Sequence, residues 1–458
     1  MAGKYGPNLD PFADQPESEV IKHFFPTFDV AAYTAAQLVT RAERRLMFAD
    51  ARDVKLTEHQ EGELDKVNRA LRDGAPEVRL AGAAGTGKST SLSSWTGAWG
   101  KPVTFVAPTW RAAGRLSERT GQPATTLHSL VYSGADEDPD TGELVFRTKE
   151  GKQLDCATPI VIDEASMVGI GVYSAMRHIL PPNAQVFATG DDGQLPPVNE
   201  MPAFALDRPH ARLDEVHRQA DDSGTLGLAT EIRRTKSMIN TEMAMRHDVK
   251  VHRISARTIG KYIAEFYQGN ALRPEVVAVM YHTTRGIIND AARAALGFPG
   301  MVFGPQVGEV VLATGTKRDG VHIANGDIGR VLDIVAGPRV AGIQTLRVLV
   351  DFGKLLPGYV IVIPAAWSAP PKQRGQIPKE TRVGMLRAAN TDPDAAHVIA
   401  RLLDLTPGYA MTAHSMQGAE WTRGFVMAER PFKFDGDSWR MPYTQITRFK
   451  HAAITVLT

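Results

Sequence analysis

The stretch Gly82-Ala83-Ala84-Gly85-Thr86-Gly87-Lys88-Ser89 constrains this chain more than any other. It meets the pattern G-x-x-x-x-G-K-[ST] at every defined position. Val78, Arg79 and Leu80 before it read as a short buried strand, and Thr90 to Trp99 after it can begin a helix. Glycines 82, 85 and 87 let the backbone turn tightly, so that its N–H groups point at an anion. The N-terminus of the following helix adds partial positive charge. In such a loop Lys88 reaches the outer phosphates of a nucleotide and the Ser89 hydroxyl ligates Mg²⁺, with Gly85, Thr86, Gly87 and Thr90 completing the cradle.

The 458 residues suffice for about three domains. Hydrophobic residues at 43% and charged residues at 22% are ordinary for a globular chain. With 52 Lys and Arg against 51 Asp and Glu, the balance neither suggests nor excludes nucleic acid, and any basic groove must be local. The single cysteine, Cys156, excludes an internal disulfide. No apolar run reaches the length of about 18 residues that a membrane span needs. Nor does the N-terminus carry the apolar run of a signal peptide. A cytoplasmic, monomeric protein is expected.

Residues 1–54 form an N-terminal extension, irregular and Pro-rich at first and helical from Ala31 to Arg52. Leu56 to Gln60 opens a further helix, with Thr57 as N-cap and Gln60 at the capping-box position. Gln60 either caps that helix or reads an adenine edge through its amide. From Val78 onward, short apolar runs at Val103–Val106, Ile160–Ile162 and Val186–Ala188 alternate with helical stretches, the mark of a covered parallel sheet. Residues 55–219 therefore make one α/β domain. Within it, residues 130–153 suggest a projecting β-hairpin around the acidic turn Asp136 to Gly142. A second α/β pattern covers residues 220–304 and 400–458, with strands at Val276–Tyr281, Phe425–Ala428 and Ile454–Leu457. Between its parts, residues 305–399 are β-rich and suit a small barrel, with a Pro/Lys/Arg-rich loop or arm at residues 369–395.

Chemistry downstream of the loop follows the strand ends. Ile160-Val161-Ile162-Asp163-Glu164 ends a buried strand in adjacent carboxylates. Asp163 can hold Mg²⁺, while Glu164 can orient or deprotonate an attacking water. Gly190 to Val198 follows another strand, and the Gln194 amide there can bond both a γ-phosphate oxygen and the attacking water. Arg218 and Arg448 lie in segments able to supply positive charge to a phosphoryl-transfer transition state.

The ordered set Gly82–Ser89, Ala107-Pro108-Thr109, Ile162–Val168, Gly190–Val198, His217-Arg218-Gln219, Thr412–Gly418 and Tyr443–Arg448 resembles superfamily 1B DNA helicases of the RecD/Dda-like branch. It spans residues 55–458. The resemblance implies an α/β fold of two RecA-like parallel-sheet domains, with an inserted β-hairpin wedge and an inserted SH3-like β-barrel. It implies ATP and Mg²⁺ as cofactors, with Gly418 at the nucleotide, and 5′ to 3′ translocation on single-stranded DNA. Fork or tailed duplex DNA and proteins of replication or recombination would be the partners. Two stretches depart from the family's usual pattern. His414-Ser415-Met416-Gln417-Gly418 lacks a customary lysine, and Gln445 and Phe449-Lys450 differ in the last motif. Both departures bear on DNA affinity or coupling rather than on the ATP site.

Holding a single strand takes phosphate contacts and faces on which bases stack. Pro108, Thr109, Trp110 and Arg111 follow a strand end, where open α/β sheets place ligands. Thr109 and Arg111 would contact phosphates; Trp110 would stack on a base or else pack in a core. Thr126 and His128 from the first domain, and Thr412 and His414 from the second, would add contacts; for the histidines a structural hydrogen bond is the alternative. Phe146 would be the apolar tip of the hairpin wedge, unless the hairpin is an ordinary surface one. Three functions fit: a helicase, a single-strand-stimulated ATPase that remodels or loads other proteins, and a nucleotide switch without nucleic acid. Salt-sensitive single-strand binding would exclude the third.

Overall fold

The computed structural model describes residues 15–39, 55–137, 144–149, 158–215, 224–268, 276–301, 304–315, 321–370, 373–429 and 436–457. The strands of the first half are β1 (Glu77–Gly82), β2 (Thr104–Ala107), β3 (Ala124–Thr126), β4 (Tyr132–Glu137), β5 (Leu144–Thr148), β6 (Ile160–Ile162), β7 (Val186–Gly190) and β8 (Ala211–Leu213). Six of them form one sheet in the order β3-β2-β6-β7-β1-β8, with every pair parallel. Strand alternation divides their side chains between two cores. Val78, Leu80, Phe105, Val161 and Phe187 face Leu64, Val67, Leu92 and Trp95 of helices Glu58–Arg72 and Lys88–Trp99. Ala81, Val106, Ile160, Ile162, Val186 and Ala188 face Leu127, Tyr173 and Met176 on the opposite side. Both faces are covered, which is why these strands read as short apolar runs without polar alternation.

β4 and β5 pair antiparallel as a separate hairpin. Phe146 lies inside that ladder opposite Ala135, and pairing continues beyond it to Glu137 and Leu144, so the expectation that it forms the tip is corrected. Residues 138–143 lie outside the described ones.

The second half continues with β9 (Val251–Ile254), β10 (Val276–Val279), β11 (Val310–Ala313), β12 (Ile328–Val340), β13 (Ile343–Asp351), β14 (Gly358–Val362), β15 (Leu405–Pro407), β16 (Ala410–Thr412), β17 (Trp421–Met427) and β18 (Phe449–Leu457). A second all-parallel sheet runs β16-β10-β17-β18-β9. Helix Gly224–Thr235 packs on one face through Leu228 and Ile232. Helices Ala256–Gln268 and His282–Ala295 cover the other through Ile259, Ile263 and Ile288.

Between β10 and β16 the chain builds an antiparallel sheet in the order β14-β13-β12-β11-β15. Its two edges meet, because Leu403 N–H donates to Ile361 O at 3.0 Å and Ile361 bridges Leu402. Val311, Val331, Val348, Val360 and Trp367 fill one face. The fifth strand reaches Pro407, past the boundary at residue 399 expected from sequence.

Two expectations are overturned here. Residues 369–395 were expected to be a loop or arm, yet they include helix Lys379–Ala388 and the start of helix Pro393–Arg401. Pro378 is the N-cap of the first and Pro393 stands in the first turn of the second, positions where proline starts a helix. The N-terminal extension, expected to be irregular to about residue 30, contains helix Glu17–Phe24. Val20, Ile21 and Phe25 of this segment are fully buried against Tyr359, Ile361 and Val398 of the insertion. Glu17 and Arg401 form a buried ion pair at 2.6 Å, and Arg347 sits 4.3 Å over the Phe24 ring. Helical backbone resumes at residues 30–39, and Tyr33 Oη donates to Asp351 at 2.5 Å. Among the described residues no helix is long and apolar enough to cross a membrane.

Candidate active site

β1 delivers the phosphate loop. Gly85 and Gly87 adopt φ of 81° and 77°, a left-handed backbone open to glycine, and Gly87 caps helix Lys88–Trp99. Thr86 is buried, and its hydroxyl donates to Ala83 O at 2.9 Å. Lys88 Nζ folds back onto Gly82 O and Ala83 O, each at 2.8 Å. Gln60 braces the loop from outside: its Nε2 donates to Thr86 O at 3.1 Å and its Oε1 accepts Thr57 N–H at 3.1 Å. The capping box is therefore formed, and Gln60 ties the helix start to the loop.

β6 and β7 bring in the acidic and amide groups. The Asp163 carboxylate accepts Glu164 N–H at 2.9 Å, and burial, then the Glu164 charge, raise Asp163 to about 6. Glu164 holds a left-handed backbone at φ 53°, a conformation that costs energy for a side chain with a Cβ and is tolerated at functional turns. Gln194 is buried, and among the described residues none donates a hydrogen bond to its Oε1.

The second parallel-sheet domain closes the site. A cavity of about 420 Å³ is lined by Lys88, Ser89, Asp163, Glu164 and Gln194 from the first domain and by Thr447 and Arg448 from the second. Its size suits a nucleotide. The buried Arg448 guanidinium donates to Thr444 O at 3.2 Å, Thr447 Oγ1 at 3.2 Å and Ala419 O at 3.4 Å, all neutral acceptors. Sequence-predicted Lys88, Ser89, Thr90, Asp163, Glu164, Gln194 and Arg448 thus converge. Gln60, Thr86 and Gly418 stand off the cavity wall: Gly418, at φ 74°, packs where a Cβ would come 3.1 Å from Thr109 Oγ1 and Ala112 Cβ. Arg218 lies outside the described residues.

The donor set fits a nucleoside triphosphate with a hard divalent cation. The glycine-rich loop and its lysine line the cavity, Ser89 and Asp163 supply hydroxyl and carboxylate oxygens, and Gln194 Oε1, without a donor among the described residues, is an acceptor for water.

Several members were not singled out from sequence. Tyr443, fully buried in the second domain, donates to Asp191 Oδ2 at 2.7 Å and accepts Ala84 N–H at 3.1 Å. Arg233 pairs with both Asp191 and Asp192. Arg440 donates to Asp192 O and, at 3.3 Å, to Gln194 O, while Leu195 N–H donates to Thr444 Oγ1 at 3.0 Å. The loop carrying Gln194 is thus held by the second domain. Arg115, Arg119 and Glu420 also line the cavity. Asp191 and Tyr443 sat inside quoted motifs, which was the available signal; Arg115, Arg119 and Arg233 carried none beyond helical spacing.

The expected strand-contact residues lie at C-terminal strand ends. Thr109 caps helix Trp110–Thr120 by accepting Ala112 N–H at 3.2 Å. Trp110 is half-buried with its ring 4.4 Å from that of His322 in the insertion, so it sits at a domain contact rather than in a core. Arg111 lies 5.8 Å over the Trp421 ring, and Pro108 is partly exposed beside it. Thr126 and Thr412 are buried: Thr126 caps a short helix through Ser129 N–H at 3.1 Å, and the Thr412 hydroxyl meets Ser415 Oγ at 3.0 Å. Both hydroxyls serve their own turns, which leaves His128 and His414, both exposed, as the outward groups there.

A family model described as AAA domain matches residues 56–255. The ATP-dependent RecD2 DNA helicase of Deinococcus radiodurans is 26% identical over 80% of this chain and 44% of its own length. The ATP-dependent DNA helicase dda of Enterobacteria phage T4 is 28% identical over 40% of this chain and 43% of its own. The chain thus spans less than half the length of these curated relatives. A solved structure of Bacteroides Pif1 bound to ssDNA, 17% identical, covers 88% of this chain and 92% of its own with a TM-score of 0.50, a likeness of fold. The chain is thus similar in sequence to the RecD2 and dda DNA helicases, and its two parallel sheets share the fold of the Pif1 structure.

Proposed function

We propose that this chain is an ATP-driven motor that moves 5′ to 3′ along single-stranded DNA and separates the strands of fork or tailed duplexes. One observation carries the reading: the cavity at the phosphate loop is walled by both parallel-sheet domains, with Lys88, Glu164 and Gln194 facing Arg448. A nucleotide bound there makes domain closure and hydrolysis one event.

In this reading the loop amides and Lys88 orient the triphosphate, Glu164 takes the proton of the attacking water, and Gln194 positions that water. Bound by Ser89 and Asp163, Mg²⁺ would neutralise charge on the phosphate oxygens. Arg448 presents positive charge to the transition state, with Arg218 as its companion. Pro108 to Arg111, with His128 and His414, would grip the strand at two places, one per domain. The insertion is read as an SH3-like barrel and the β4–β5 hairpin as the wedge.

Duplexes tailed with either a 5′ or a 3′ single strand test activity and direction together. Separation of the 5′-tailed substrate alone is expected. ATP hydrolysis stimulated by single strands without separation of either duplex would replace the reading with a remodeller or loader.

A further inference from the structure

Two arginines supplied by none of the motifs stand in the nucleotide cavity. Arg115 and Arg119 occupy positions i and i+4 of helix Trp110–Thr120, so they share a face, and both line the cavity with Asp163 and Glu164. Glu420 of the second domain meets both: Arg115 Nη2 bonds its Oε1, and Arg119 Nη2 lies 3.4 Å from its Oε2. Arg115 Nη1 also donates to Gly418 O at 2.9 Å. One carboxylate therefore pairs with both arginines of that helix face.

The Glu420 side chain is 46% exposed, against 23% for Arg115 and 34% for Arg119. A pair so open to water is weakly held and makes a poor structural staple. A terminal phosphate in the same cavity carries more charge and offers a guanidinium bidentate acceptance. Glu420 would then be repelled toward solvent, which it already faces.

We propose that Arg115 and Arg119 are ligands of the nucleotide's γ-phosphate, masked by Glu420 until a triphosphate displaces it. The proposal rests on the nucleotide-site reading above and adds to it a selector for the triphosphate over the diphosphate. Entry of ATP exchanges a contact between the domains for one with the nucleotide, and loss of the γ-phosphate restores it.

Equilibrium binding of a fluorescent ADP and of a slowly hydrolysed fluorescent ATP analogue to the full chain tests this. Arg115→Ala is expected to weaken the triphosphate analogue about tenfold and ADP less than about twofold. Glu420→Gln is expected to tighten the triphosphate analogue severalfold. Arg115→Lys keeps a charge in place and should fall between wild type and Arg115→Ala. Equal weakening of both nucleotides by Arg115→Ala and Arg115→Lys, or weaker triphosphate binding in Glu420→Gln, overturns the proposal. Lys88→Ala separates the two levels. If that variant still hydrolyses ATP, the nucleotide-site reading itself fails. If it is inactive while the ratio of triphosphate to ADP affinity ignores Arg115 and Glu420, this proposal alone fails.

Discussion

The hydroxyl of Tyr443 accepts the backbone N–H of Ala84 at 3.1 Å, so a side chain of the second domain is bonded to the phosphate loop of the first. The same oxygen donates to Asp191 at 2.7 Å, at the head of the loop that carries Gln194. One buried atom therefore joins the glycine-rich loop, the loop that carries Gln194 and the opposite domain.

Tyr443→Phe keeps the ring and deletes that atom. A half-buried amide and a buried carboxylate each lose a partner, which costs on the order of 1–3 kcal/mol. The expected result is a roughly tenfold fall in kcat for ATP in the presence of single-stranded DNA, with KM changed less. Steady-state ATP hydrolysis at saturating DNA measures it.

The N-terminal helix is a structural part of the insertion. Glu17 and Arg401 are 7% and 5% exposed, so removing one leaves the other charge buried and alone. Glu17→Ala is expected to destabilise the protein by about 3–5 kcal/mol, read from urea unfolding.

Gly418 fixes how closely the two domains approach. Its φ of 74° disfavours any side chain, and a Cβ would come 3.1 Å from both Thr109 and Ala112. Gly418→Ala is expected to cost about 1–3 kcal/mol and to reduce DNA-stimulated hydrolysis while leaving circular dichroism unchanged. Parallel melting and ATPase measurements separate the two effects.

Acid should loosen the same interface at a definite point. Burial alone would raise Asp192, but Arg233 and Arg212 hold it below the ordinary carboxylate range. A depressed native value means that the stabilisation is complete above the unfolded value, about 3.9, and disappears as pH falls through the native one. Docking of the two domains at this contact should therefore persist to about pH 4 and weaken below it. Asp192→Asn should abolish that step in an acid titration followed by interdomain energy transfer.

The contiguous segments that line the cavity were legible in the sequence. The loop at Gly82–Ser89, the Asp163–Glu164 pair and Gln194 each follow a buried strand, and the strand ends bring them to one cavity. Arg448 joined them through its motif. Arg115, Arg119, Arg233 and Glu420 became site residues by tertiary approach, for which a single sequence has no signal. Strands as short as Ala124–Thr126, Ala211–Leu213 and Leu405–Pro407 carry too few residues for period-two patterning to register. Pro378 and Pro393 fall in a stretch whose Pro/Lys/Arg content reads as a loop or arm, because a proline that starts a helix looks in sequence like one that ends it.

Strand separation of a 5′-tailed duplex by wild type, Lys88→Ala and Arg448→Ala, with single-strand binding measured alongside, tests the shared cleft most directly. The account predicts that all three bind the strand, that Lys88→Ala neither hydrolyses ATP nor unwinds, and that Arg448→Ala loses about a thousandfold in hydrolysis and with it all unwinding. Unwinding by Arg448→Ala at the wild-type rate would contradict it, because the second domain would then have no part in the chemistry.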